Sequence, residues 1–175
     1  MLMIGGATRN VGKTSLSCKI IERFAETNKI IGLKIKTLYE GDSFFHGKER
    51  NPLTGEFRIT EEKDIKGTED TSKMLRVGAK RVFRIKVKSN SIEKAFNELE
   101  KITGQNCVFV CESNSLRKAV RPGIFIMIKN KDSETMKPSA KELQKFADRI
   151  VYSDGKKHNF DAGKLMIKNG EWKFL

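Results

Sequence analysis

A chain of 175 residues is long enough to bury most of its apolar surface in one core and short enough to be a single domain. With 35 Lys and Arg against 22 Asp and Glu, a net charge of +13 and a mean hydropathy of -0.49, it reads as a soluble basic protein that favours anionic partners. No apolar run approaches the roughly 18 residues of a membrane helix, and residues 1–6 are too short and uncharged for a signal peptide, so a cytoplasmic protein without a membrane partner is expected.

Three cysteines, Cys18, Cys107 and Cys111, form no Cys-x-x-Cys pair, and there are two histidines, which argues against a disulfide framework or a zinc site. Core packing is the expected role of the thiols.

Along the chain, strand and helix patterns alternate, which predicts an α/β fold with a mostly parallel sheet. Residues 2–5 read as a short buried strand. Residues 13–27 read as a helix, with Leu16, Ile20, Ile21 and Phe24 at helical spacing. Residues 29–36 are the second strand. Residues 37–67 do not fit a simple crossover: Phe44-Phe45 and Phe57-Arg58-Ile59 flank Asn51-Pro52-Leu53-Thr54-Gly55, which predicts an inserted hairpin or mobile loop, of the length that serves as a lid or as plain surface. A helix over 68–78 closes at Gly78-Ala79. A strand over 81–88 places Arg84, Lys86 and Lys88 on one face and Phe83, Ile85 and Val87 on the other. A helix over 91–102 has Ser91 as its expected cap. Strands follow at 106–111, ending in Glu112, and at 123–128. A helix over 139–147 starts beside Pro138, and a short strand covers 149–152. The segment 165–174 predicts a hairpin about Asn169-Gly170.

The chemistry-bearing motif is Ala7-Thr8-Arg9-Asn10-Val11-Gly12-Lys13-Thr14, with Gly5 and Gly6 before it. It has the phosphate-loop pattern, with Ala7 in the first position, and it lies between a predicted strand and an amphipathic helix, as that motif requires. Successive backbone N–H groups in such a loop form an anion-binding nest, and the helix N-terminus adds partial positive charge. Gly12 lets the backbone approach phosphate without a side chain in the way. Lys13 would bridge the β- and γ-phosphates, Thr14 would place its hydroxyl on Mg²⁺, and Ser15 could donate to the α-phosphate.

A carboxylate should accompany the metal. Glu112, at the end of a buried strand, is the expected metal-side and catalytic group, direct or through water. Asp42 lies just past the second strand, near the expected place of reaction, and is a further catalytic candidate. Asp70 is a candidate on the metal side, or a residue that caps or opens the helix around Thr71 to Val77, a structural use. Lys34 and Lys36 end the second strand, where they could meet a second anionic group. Asn130-Lys131-Asp132-Ser133 is either a purine contact through Asn130 or a solvated loop.

These residues resemble known families. The segment Gly6 to Thr14 looks like the loop of dethiobiotin synthetases and their relatives. Gly32-Leu-Lys-Ile-Lys-Thr37, Asp70-Thr-Ser-Lys-Met-Leu-Arg-Val-Gly-Ala79 and Val108-Phe-Val-Cys-Glu112 are more similar to the MobB family of molybdopterin-guanine dinucleotide biosynthesis. That resemblance covers most of 1–152. It implies a doubly wound P-loop NTPase fold, a probable homodimer, binding of GTP or ATP with Mg²⁺, and an accessory role beside a cofactor-biosynthesis enzyme. Carried over by position, Lys13 and Thr14 bind phosphate and metal, Glu112 serves the metal or water, and Asp70 shapes the site. The chain departs from the pattern in having Ser113 after the Glu, Thr8 in place of a second loop lysine, only His46 and His158 as histidines, and the 37–67 insertion.

Three functions compete: a slow accessory NTPase, a small-molecule kinase or ligase of dethiobiotin synthetase type with Lys36 or Arg9 stabilising charge, and a basic nucleic-acid-binding protein. The last lacks an aromatic platform or a reading motif, so nucleic acid is the least expected partner.

Overall fold

The computed structural model describes residues 1–39, 53–104 and 107–175. Its centre is a seven-stranded sheet formed by β1 (Leu2–Gly6), β2 (Ile30–Leu38), β3 (Phe57–Glu61), β4 (Arg81–Lys88), β5 (Val108–Glu112), β6 (Ile124–Asn130) and β7 (Arg149–Ser153), in the order β3-β4-β2-β5-β1-β6-β7. All neighbours run parallel except β3, which pairs antiparallel with β4 at the edge. The helices are α1 (Lys13–Phe24), α2 (Asp70–Arg76), α3 (Ile92–Thr103) and α4 (Pro138–Gln144). The hairpin of β8 (Leu165–Lys168) and β9 (Glu171–Phe174) follows.

Two apolar layers sandwich the sheet. On one face Leu2, Ile4, Val110 and Ile126 pack with Leu16 and Ile20 of α1 and Met74 of α2. On the other, Met3, Leu33, Ile85 and Phe125 pack with Phe96 and Leu99 of α3 and Leu143 of α4. Each fully buried large aliphatic or aromatic side chain contributes about 1.5–3 kcal/mol, so both faces of the central strands must be apolar, and they are.

The order of the strands sets where chemistry can occur. From β1 the chain passes to β2, on the far side of β5; from β5 it crosses β1 to reach β6. The crevice beyond the carboxyl end of β1 therefore lies where connections diverge, the place where sheets of this kind bind ligands.

The elements differ from the sequence expectations in detail. Helix α1 is regular to Phe24, and residues 25–27 continue it as a turn closed by Asn28, whose backbone N–H and side-chain amide donate to the Phe24 carbonyl at 3.0 and 3.2 Å. The second half of the expected 37–67 hairpin is instead the edge strand β3, whose Phe57 and Ile59 lie opposite Val87 and Ile85 and cover them. The first half of that insertion, with Asp42, Phe44-Phe45 and Asn51-Pro52, lies outside the described residues. Ser91 precedes α3 without capping it; its hydroxyl goes to Asn90 at 3.1 Å. Helix α4 ends at Gln144, earlier than 147. The hairpin about Asn169-Gly170 forms as expected, with both residues left-handed at φ 55° and 76°. Its Trp172 is buried, donates to the Phe109 carbonyl at 3.0 Å and meets Phe24 edge-on. Among the described residues no helix is long and apolar enough to cross a membrane.

Candidate functional site

Residues 7–12 join the end of β1 to the start of α1. Two left-handed residues, Asn10 (φ 58°) and Gly12 (φ 86°), flank Val11, giving the alternation of backbone sign that turns N–H groups toward one centre. Apart from the tight turn at Arg9-Asn10, the backbone N–H groups of residues 8–15 make no hydrogen bond to another described residue, and Leu16 is the next to donate, onto the Gly12 carbonyl at 3.0 Å. Donors in the first turn of a helix have no intrahelical acceptor, and this arrangement of backbone is one that an anion could pair with.

The loop is held from three sides. On the β5 side, Asn114 brackets Gly6: the Gly6 N–H donates to its Oδ1 at 2.8 Å and its Nδ2 donates to the Gly6 carbonyl at 3.1 Å. On the β6 side, the Ala7 N–H donates to Ile128 at 2.8 Å and the Lys137 N–H donates to the Ala7 carbonyl at 3.0 Å. At the helix end, residues 153–158 close over Gly12. The His158 Nε2 lies 3.2 Å from the Gly12 carbonyl, so the proton must be on that nitrogen, and the Ser15 hydroxyl donates to the Lys156 carbonyl at 3.3 Å. A Cβ on Gly12 would stand 3.0 Å from the Ser153 hydroxyl and 3.2 Å from the Gly155 carbonyl, so glycine is needed there for space as well as for its φ.

Beside the loop a cavity of about 950 Å³ opens, lined by Arg9, Asn10, Gly12, Lys13, Thr14 and Ser15 on one side and by Lys34, Lys36, Asp70, Glu112 and Lys137 on the others. Lys13 curls back over the end of β1, its Nζ 3.1 Å from where a Gly6 Cβ would be. Burial holds its pKa below the usual lysine value, opposed by the Glu112 charge. The Thr14 hydroxyl donates to Glu112 Oε2 at 3.2 Å. Glu112 is buried; its burial lifts the carboxyl above its usual pKa, against the pull of Lys34 and the Thr14 bond. Its other oxygen, Oε1, is buried with no hydrogen-bond partner.

Lys34 stands between Glu112, 3.6 Å away, and Asp70, to which it donates directly. Asp70 also accepts from Lys73 at 3.2 Å. Burial raises the Asp70 pKa, but the Lys34 and Lys73 ammonium groups outweigh it and the carboxyl sits below its ordinary value. Asp70 is the first residue of α2, not its cap, which is Glu69. Lys34 is thus paired with two carboxylates where it lines the cavity.

Of the residues singled out in the sequence, the structure gathers Arg9, Asn10, Gly12, Lys13, Thr14, Ser15, Lys36, Asp70 and Glu112 around one cavity. Ala7 and Val11 are buried and supply backbone only, and Thr8 turns its hydroxyl to the Arg9 carbonyl at 3.3 Å. Asn130 does not line the cavity; its Oδ1 accepts from the Asp132 N–H at 2.8 Å and closes a local turn, in keeping with the solvated-loop alternative. Asp42 is outside the described residues. Asn114, Lys137 and the 153–158 clamp carry no motif and escape a sequence reading; only the Asp154-Gly155 turn signal after a strand hints at the last. Among the described residues no three His, Cys, Asp or Glu side chains group as a metal cage.

Comparison of the chain with protein-family models, with curated proteins and with solved structures finds no match.

Proposed function

We propose that this chain binds a nucleoside triphosphate, ATP or GTP, with Mg²⁺ at the loop of residues 7–14, and hydrolyses it slowly. The observation that carries this is the run of backbone donors over 8–15 that, outside the Arg9-Asn10 turn, have no acceptor among the described residues, with Lys13 beside it and the Thr14–Glu112 pair at its mouth. A polyphosphate supplies the oxygen acceptors that this backbone lacks.

The residues fit a magnesium ion. Mg²⁺ keeps several waters and takes one or two protein oxygens plus phosphates, so it needs no all-protein cage. The Thr14 hydroxyl would be one ligand, and the orphaned Glu112 Oε1 is an acceptor for a metal-bound water. Bound there, the ion would neutralise charge on the phosphate oxygens. The chain's own contributions are separate from this. Lys13 brings a positive charge to the end of β1, and the N–H groups orient the phosphates. Glu112, with a raised proton affinity and a free oxygen, is suited to hold and polarise a water beside the terminal phosphate. Lys34 and Asp70 fix the Glu112 side chain from behind.

The likeness of three segments to the MobB family, beside the phosphate-loop pattern, adds the proposal of an accessory role beside a cofactor-biosynthesis enzyme. Transfer to a small acceptor is the second reading, favoured by Lys36, which lines the same cavity from the end of β2. A nucleic-acid face on β4 has less support, because Arg84 is engaged with Glu69 at 3.1 Å and Thr71 at 2.8 Å.

Calorimetric titration of ATP and GTP, each with Mg²⁺, against wild type and Lys13→Ala tests the proposal. Binding by wild type that the variant loses supports it. Absence of binding to wild type, or equal binding by the variant, overturns it.

A further inference from the structure

Lys137 is a cation that lines the cavity, and its side chain has no part in the chemistry proposed above. Lys137 immediately precedes α4, and its backbone N–H is fastened to the Ala7 carbonyl at 3.0 Å, so its position is tied to the first residue of the loop. It lines the same cavity as Lys13 and Arg9, from the β6 side, across the loop from Glu112. Its side chain makes no hydrogen bond or ion pair among the described residues. The carboxylates at this end of the cavity are committed elsewhere: Asp70 to Lys34 and Lys73, and Glu112 to Thr14 and Lys34.

Such a placement is unfavourable without an anion. A lysine with no task extends its ammonium into water while its stem packs. Lys137 is instead half-buried, and burial, then the Lys13 and Arg9 charges, lower its pKa. The cradle also has two unlike ends. At the Ala7 end stand the Lys13 head, Glu112, Thr14 and Lys137; at the Gly12 end stand the Ser153 hydroxyl, the Gly155 carbonyl and the His158 ring. Charge is concentrated at the first end, and a polyphosphate would lie with its terminal group there.

We propose that Lys137 is a third phosphate-contacting cation, reaching the terminal phosphate from the side opposite Thr14 and Glu112, so that the site distinguishes triphosphate from diphosphate. This rests on the phosphate-binding reading of the loop. The ammonium adds a charge-assisted hydrogen bond available only to the last phosphate group, and it does so from outside the loop motif.

The test compares wild type, Lys137→Met and Lys137→Arg by calorimetry with ATP, ADP, GTP, GDP and inorganic tripolyphosphate, all with Mg²⁺. Lys137→Met should weaken triphosphate and tripolyphosphate binding by about tenfold or more and diphosphate binding by less than about twofold, and Lys137→Arg should restore part of the loss. Melting without nucleotide reports whether the variants fold. If wild type binds triphosphates and Lys137→Met keeps the same triphosphate-to-diphosphate ratio, whether by no change or by equal loss, the assignment to Lys137 is wrong and the loop reading stands. If wild type binds no nucleotide or polyphosphate, the loop reading fails and this inference falls with it.

Discussion

The Thr14 hydroxyl and the Glu112 carboxylate, 98 positions apart in the chain, meet at 3.2 Å at the mouth of the loop. The contact joins the first turn of α1 to the end of β5 and leaves the second Glu112 oxygen buried and unpaired. Thr14→Val should therefore strip Glu112 Oε2 of this donor, leaving neither carboxylate oxygen with a hydroxyl partner, and remove the hydroxyl that Mg²⁺ would take. Nucleotide affinity measured with and without Mg²⁺ should lose its metal dependence in Thr14→Val and keep it in Thr14→Ser. Retention of full metal dependence by the valine variant would exclude Thr14 as a ligand.

Glu112 predicts a pH-dependent stability of definite sign. Burial lifts its carboxyl above the usual 4.5, so the native protein holds that proton more tightly than the unfolded chain does. The stability this contributes is complete below 4.5 and is lost as pH rises through the lifted native value. Glu112→Gln has no proton to lose. It should melt above wild type at neutral pH, at about 2–4 °C per kcal/mol for a chain of this size, and the gap should close as the pH is lowered toward the usual carboxyl value. Thermal melts across that range decide it; a variant that melts lower at neutral pH would mean that the Lys34 pairing outweighs burial.

Gly12→Ala should fail twice. Its φ of 86° costs an L-residue about 1–2 kcal/mol, and the new methyl would press on Ser153 and the Gly155 carbonyl at 3.0 and 3.2 Å. A fall in melting temperature of several degrees is expected, together with loss of nucleotide binding. Ser153→Gly in the same chain should recover part of the stability by making room, but not the part due to backbone strain.

Asn114→Ala should leave the Gly6 N–H and carbonyl without their partners, at roughly 1–3 kcal/mol for each group that stays buried. Asn114→Asp keeps an acceptor for the N–H and loses the donor to the carbonyl, so it should fall between wild type and alanine in urea denaturation. An alanine variant as stable as wild type would show that water replaces the amide at no cost.

The sheet was legible because its strands are apolar on both faces and its helices carry clear 3.6-residue periodicity; β4 has the expected limits of 81 and 88. Within the site, Lys13, Thr14 and Glu112 were legible because each sits at a fixed offset from a strand end. Asn114 was not, since an Asn after a buried strand has no spacing that marks it, and its task depends on β5 lying next to β1. Lys137 was hidden for the same reason: its meaning comes from one backbone bond to Ala7, not from its neighbours in sequence. Asp70 shows the converse: its place at the opening of α2 was legible, while its pairing with the ammonium groups of Lys34 and Lys73 depends on β2 lying beside α2 and on one turn of the helix.

The clamp on Gly12 has a consequence for how the molecule is made. His158 lies 146 positions beyond the glycine it contacts, and Ser15 is tied to Lys156 across 141. During synthesis, the strand–loop–helix unit at the start of the chain emerges long before the segment that holds its backbone in place. Closing such distant contacts is the slow part of folding. The loop motif is made more than 140 positions before the segment that closes over it, so a ribosome-bound chain arrested before residue 153 would carry the motif without its grip.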